Sequence, residues 1–147
     1  MKISIACDHG GYELKLAVRE YLAQQGHEVL DFGCDGLDSC DYPDFGAPAA
    51  RAVASGECDT GIVICTTGIG MSMVANKIDG IRCALCGDTL SAALTRQHNN
   101  ANMLAMGAGI TGPKLALEIV ETFLTTEFQG GRHQRRVDKI MALEAAQ

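Results

Sequence analysis

The stretch Thr60-Gly61-Ile62-Val63-Ile64-Cys65-Thr66-Thr67-Gly68-Ile69-Gly70 decides the fold. Thr60 to Cys65 is a β-branched, apolar run that reads as a buried strand. It enters a glycine-rich turn, and a helix is expected from about Gly70 to Lys77. A strand passing through a tight turn into a helix is the unit from which parallel sheets are built.

The same unit recurs in both directions. Upstream, Lys2 to Cys7 reads as a buried strand. Leu14, Ala17, Val18, Tyr21 and Leu22 then share one face of a helix that Gly26 ends. His27 to Phe32 gives the second strand, and Pro43 opens a helix through Ala47–Ala54 to Gly56. Downstream, Ile81 to Cys86 is the fourth strand, Thr89 to about Gln97 an alanine-rich helix, and Asn102 to Met106 the fifth strand. Pro113 starts a long helix with Leu115, Ile119, Val120, Phe123 and Leu124 toward the core. Gly130-Gly131 breaks it, and a last helix from about His133 to Ala145 carries Val137, Ile140 and Met141 on one side. This alternation predicts an α/β fold, a five-stranded parallel sheet covered on both faces and joined by right-handed crossovers. Ligands of such sheets lie beyond the carboxyl ends of the strands. That rule points to Asp8-His9, Gly33 to Tyr42, Cys65 to Gly70, Gly87-Asp88 and Gly107 to Gly109.

Composition agrees. The 147 residues suit one domain spanning 1–147, and 47% apolar against 20% charged residues excludes a disordered chain. Seventeen glycines and no Trp favour α/β turns over a β-sandwich. A net charge of −6 argues against a nucleic-acid surface over the whole domain. The apolar run at Met1 to Cys7 is too short for a signal-peptide core, and no stretch reaches the length of a membrane span. A soluble, cytoplasmic protein is expected. Of seven cysteines, Cys83 and Cys86 have C-x-x-C spacing. On a strand, residues three apart face opposite sides, so the pair is expected to be buried apolar cysteine rather than a zinc or redox site.

The turn after the third strand lacks the Lys of a phosphate-binding P-loop, and Met73 stands where a dinucleotide fingerprint needs its third Gly. Converging N–H groups and a helix N-terminus can hold an anion, although close packing alone would also ask for glycine. Cys65 beside those donors is expected to have a lowered pKa. It could serve as nucleophile or as base toward a carbon acid, with the amides stabilising an oxyanion; a core cysteine before a turn is the plainer alternative.

Several blocks taken together resemble one family. Cys7-Asp8-His9-Gly10-Gly11-Tyr12-Glu13-Leu14-Lys15, Asp41-Tyr42-Pro43, Cys65 through Gly70, Ala75-Asn76-Lys77, Gly80-Ile81-Arg82, His98-Asn99-Asn100-Ala101-Asn102 and Gly130-Gly131-Arg132-His133-Gln134 follow, in order and at similar spacing, the type B ribose-5-phosphate isomerases. That family also includes galactose-6-phosphate and allose-6-phosphate isomerases. The resemblance covers essentially the whole chain. It implies a Rossmann-like three-layer α/β/α sandwich with an extra C-terminal helix. It also implies a homodimer or dimer of dimers with active sites at the subunit interface, and neither metal nor organic cofactor.

Carried over by position, Cys65 matches the base that moves a proton between C1 and C2. Thr67 matches the proton shuttle between the enediolate oxygens, and His98, with Asp8, the ring-opening group. His9, Tyr42 and Asn99 match substrate contacts; Thr66, Gly68, Ile69 and Gly70 belong to the substrate loop. Arg132 and Arg136 match phosphate ligands. Each also has a plain reading: Asp8 as a turn cap, His98 at a helix end, and Arg132 and Arg136 with Arg135 and Lys139 as a solvated basic face.

Two positions depart from the family pattern. Thr66 stands where members with this cysteine commonly have Gly, and Gly109 where many have an arginine that reaches the phosphate. Either a different sugar or a phosphate held by Arg132, Arg136 and backbone groups would accommodate them. The expected reaction is ribose 5-phosphate/ribulose 5-phosphate isomerisation. A hexose 6-phosphate isomerase is the alternative, and a non-catalytic phosphosugar-binding module a remote one.

Overall fold

Five parallel strands, β1 (Lys2–Cys7), β2 (Glu28–Asp31), β3 (Thr60–Cys65), β4 (Cys83–Leu85) and β5 (Met103–Gly107), form one sheet in the order β2-β1-β3-β5-β4. The structure is a computed structural model and describes residues 1–146. Helices α1 (Tyr12–Gln24), α2 (Pro43–Ala54), α3 (Ile69–Asn76), α4 (Thr89–Asn99), α5 (Pro113–Thr125) and α6 (Arg132–Ala145) complete the chain.

Alternation along the central strands divides the core into two layers. Ile3, Ile5, Ile62, Ile64, Leu104 and Met106 meet α1, α4 and α5, whereas Ala6, Val63, Cys65, Met103 and Ala105 meet α2 and α3. This is the predicted three-layer α/β/α arrangement. β1 lies between β2 and β3, so the chain reverses its direction of winding between β1 and β3. The crevice at that reversal is bounded by the loops after Cys7 and Cys65.

Four expectations need correction. The fourth strand is shorter than Ile81 to Cys86, because side-chain amides take over the backbone of its first residues. Asn102 Oδ1 accepts from the Arg82 N–H and Asn102 Nδ2 donates to the Gly80 carbonyl, each at 2.8 Å. Nor is this strand buried, since it forms the sheet edge and leaves Leu85 43% exposed. Leu115 also points outward; Ala116, Ile119, Val120 and Phe123 make the buried face of α5. Ile140 is likewise exposed on α6, leaving Val137 as its buried apolar residue.

Lys15 was not anticipated in the core. Its Nζ is buried against Asp31 Oδ1 at 3.0 Å and also donates to the Cys34 carbonyl, while Arg19 holds the other Asp31 oxygen at 2.7 Å. Burial pushes the Asp31 carboxyl up, but the Gly33 N–H, Lys15 and Arg19 outweigh it and leave the group below its ordinary value.

All seven cysteines are free. Cys83 packs against the α2–α3 layer and Cys86 lies in the opposite layer, as expected for residues three apart. Burial pushes their thiols up to about 12 and about 11, so both are poor thiolates. Among the described residues no three His, Cys, Asp or Glu side chains are grouped to hold a metal ion. No described helix is long and apolar enough to cross a membrane.

Candidate active site

β3 delivers Cys65 to the carboxyl edge of the sheet, and the chain then turns sharply through Gly68 at φ +78°. A Cβ at Gly68 would stand 2.7 Å from the Met106 carbonyl carbon, so both the turn and the approach of β5 require glycine. The turn aims its amides inward. Gly68 N–H donates to Cys65 Sγ at 3.1 Å, and Ile69 N–H donates to Thr67 Oγ1 at 3.2 Å. Cys65 is 5% exposed, whereas Thr66, Thr67 and Ile69 face solvent.

Of the four amides from Thr67 to Gly70, those of Gly68 and Ile69 are thus already engaged. The amides of Thr67 and Gly70 have no protein partner among the described residues. An oxyanion at this turn therefore meets two free donors beside a sulfur that a third amide holds. Thr67 Oγ1 accepts one bond and keeps its own proton available to donate.

Across the crevice, β1 is followed by Asp8 and His9. Asp8 Oδ1 accepts from the Gly11 N–H at 3.1 Å and so caps a short 3₁₀ turn at His9–Gly11. The plain reading of Asp8 is correct as far as it goes, since its second oxygen is left without a protein donor among the described residues. His9 Nδ1 accepts from the Cys40 N–H at 3.2 Å, which puts the proton of the neutral ring on Nε2. Tyr42 reaches the same turn from the start of α2. A Cβ at Gly70 would meet its ring carbon Cζ at 2.7 Å, so glycine lets the ring lie on the loop.

The remaining candidates lie elsewhere. His98 and Asn99 end α4, directly before the segment whose Asn102 carbonyl accepts from Gly61 at the amino end of β3. They sit a full strand length from Cys65, about 16 Å for six residues of β3. Arg132 and Arg136, on the first turns of α6, belong to this opposite edge, because His98 stacks on His133 with ring centroids 4.3 Å apart. Neither arginine has a carboxylate partner among the described residues. His133 is held below its ordinary pKa, first by burial and then by His98, Arg132 and Arg136. The candidate residues thus form two groups at opposite edges of one sheet.

A model of the family described as "Ribose/Galactose Isomerase" matches residues 3–140. The chain belongs to the Ribose/Galactose Isomerase family. Within it, the chain is 46% identical over 143 residues to ribose-5-phosphate isomerase B of Escherichia coli, covering 97% of this chain and 96% of that protein. Its fold superposes on the ribose-5-phosphate isomerase B of Clostridium thermocellum with a TM-score of 0.98 at 55% identity, covering 99% of each chain. It also superposes on the Mycoplasma genitalium enzyme with bound ribulose-5-phosphate, with a TM-score of 0.96 at 42% identity and coverage of 99% and 97%.

The residues named from the sequence thus fall into two groups, a separation that their own spacing along the chain does not show. The signal for it lies in the topology: a helix after a parallel strand ends at the opposite edge of the sheet, so His98 could not meet Cys65 within one chain.

Proposed function

We propose that the protein interconverts ribose 5-phosphate and ribulose 5-phosphate through an enediolate, as a cytosolic enzyme with Cys65 as its base. The observation that carries this reading is the Cys65 sulfur accepting an amide N–H at the mouth of the reversal crevice, with free donors next to it. A sulfur in this position can take a proton from the carbon beside a carbonyl. The amides of Thr67 and Gly70 receive the oxyanion that this generates. Thr67 Oγ1, its proton free, moves protons between the two oxygens of the enediolate.

Ring opening needs an acid and a base, and His98 with Asp8 supplies the pair. His9, Tyr42 and Asn99 position the sugar. Arg132 and Arg136 hold the phosphate far from the reacting carbons, so that binding energy fixes their register.

Those roles require two chains. His98, Arg132 and Arg136 of one copy meet the Cys65 crevice of a second, in a symmetric dimer with two composite sites. Exposed Met73 on α3, Leu85 on the edge strand and Leu90 on α4 supply apolar surface for that contact.

Turnover of ribose 5-phosphate, allose 6-phosphate and galactose 6-phosphate tests the assignment. A marked preference for a hexose phosphate would replace it with the hexose reading. Cys65→Ala should bind the sugar yet lose exchange of substrate C–H with solvent deuterium; full activity in that variant would remove Cys65 from the base role.

A further inference from the structure

Thr66 is the residue next to the proposed base, and its side chain is bracketed by two glycines from other loops. On one side, a Cβ built at Gly109, after β5, would stand 3.0 Å from Thr66 Cγ2 and 3.1 Å from its carbonyl oxygen. The Gly109 N–H donates to that same oxygen at 2.8 Å, which fixes the two backbones together. On the other side, a Cβ at Gly10, after β1, would stand 2.1 Å from Thr66 Oγ1 and 3.3 Å from its Cβ. Thr66 thus spans the gap between the loops that follow β1 and β5, and the absence of a Cβ at each glycine leaves room for its side chain.

We infer that Thr66 is a specificity-determining residue that shortens the sugar site and selects the pentose phosphate over hexose phosphates. The inference rests on the isomerase reading above. Three facts support it. The side chain lies at the carboxyl edge of the sheet, one residue from Cys65, and is exposed, with its hydroxyl beside Gly10 of the loop that bounds the crevice. Its hydroxyl makes no hydrogen bond with another described residue, so it is open to a substrate oxygen. Its three heavy atoms beyond Cα occupy about as much space as the one CHOH unit by which a hexose phosphate exceeds a pentose phosphate.

The Gly109 N–H bond to the Thr66 carbonyl fixes the Thr66 backbone beside the loop after β5. Gly109 leaves the methyl no side chain to displace, yet the 3.0 Å approach leaves no room for one either. Positions 66 and 109 are therefore coupled: bulk can enter the crevice from either, but not from both.

The test is the ratio of kcat/KM for allose 6-phosphate to that for ribose 5-phosphate in the wild type, Thr66→Ser, Thr66→Ala and Thr66→Gly. Opening one carbon's worth of room is expected to raise the ratio about tenfold or more in Thr66→Gly. Thr66→Ala keeps the Cβ and a less flexible loop, and should raise the ratio by a smaller factor even if the glycine variant folds poorly. Thr66→Ser should resemble the wild type if the hydroxyl selects, and Thr66→Ala if the methyl does; either result supports the inference.

Gly109→Ala should lower kcat/KM in the wild-type background and lower it less when combined with Thr66→Gly. A wild type active on ribose 5-phosphate whose ratio is unmoved in both Thr66→Ala and Thr66→Gly overturns this inference alone. A wild type that turns over neither sugar overturns the isomerase reading, and this inference with it.

Discussion

The Gly68 amide donates to the Cys65 sulfur at 3.1 Å, within a turn that only a residue at φ +78° can make. The sulfur and the turn therefore depend on one backbone conformation. An alanine at 68 would be strained in the left-handed region and would press on Leu85 and on the backbone at Met106. Such a position costs about 1–3 kcal/mol, and whatever relieves the strain moves the amide off the sulfur. Gly68→Ala should therefore lower both the unfolding midpoint and kcat, kcat by about tenfold or more. Thermal unfolding and steady-state kinetics on the same preparation check this. A destabilised variant with unchanged kcat would show that the amide has no part in the chemistry.

The buried pair of Lys15 and Asp31 gives a prediction about stability. Lys15→Met removes the cation and leaves a partly buried carboxylate with only Arg19 and the Gly33 N–H, which should cost about 3–5 kcal/mol. Chemical denaturation measures it. The native Asp31 carboxyl sits below its ordinary value of 3.8, so the unfolded chain takes up a proton before the native one does. The stability Asp31 contributes is therefore present above that value and is lost as pH falls through the lower native one. An acid titration of stability should show this loss in the wild type and a smaller one in Lys15→Met.

Particular residues show where the sequence could be read and where it could not. β3 runs from Thr60 to Cys65 as expected, because a β-branched run ending at glycines has one interpretation. Pro43 and Pro113 start α2 and α5 as expected, because proline suits the first turn of a helix. Lys15 was invisible, since apolar periodicity assigns charges to the surface and its partner lies on a different element. Gly80-Ile81-Arg82 reads as strand by composition, but Asn102 takes its backbone. Thr66 and Gly109 are both marked in the sequence as departures from the family; their contact requires β3 and β5 to be neighbours, which sequence order does not reveal.

His133 gives a pH-dependent test of anion binding at the amino edge. Burial, His98 and the two arginines hold it below its ordinary 6.5. As pH falls through that value the unfolded chain takes up a proton that the native ring still refuses, so stability falls until the lower native pKa is passed. A phosphate dianion between Arg132 and Arg136 would offset the positive field and let the ring protonate more readily. Titration of the His133 ring by NMR should show its pKa rising when inorganic phosphate is added. A value unmoved by saturating phosphate would place the anion elsewhere.

Separation of Cys65 from His98 along the length of β3 leads to a prediction that does not depend on the sugar. Cys65→Ala and His98→Ala should each be inactive alone. If a site takes Cys65 from one chain and His98 from its partner, a dimer carrying one variant of each kind has one site with both groups intact and one with neither. Random pairing in a co-expressed mixture makes half of the dimers of this mixed kind, each with one of its two sites active. Recovery of about a quarter of wild-type activity is then expected. Were Cys65 and His98 used within one chain, every site would lack one of them and the mixture would remain inactive. Separately purified variants, mixed only under conditions where subunits do not exchange, should likewise stay inactive. That comparison ties any recovered activity to the mixed dimer.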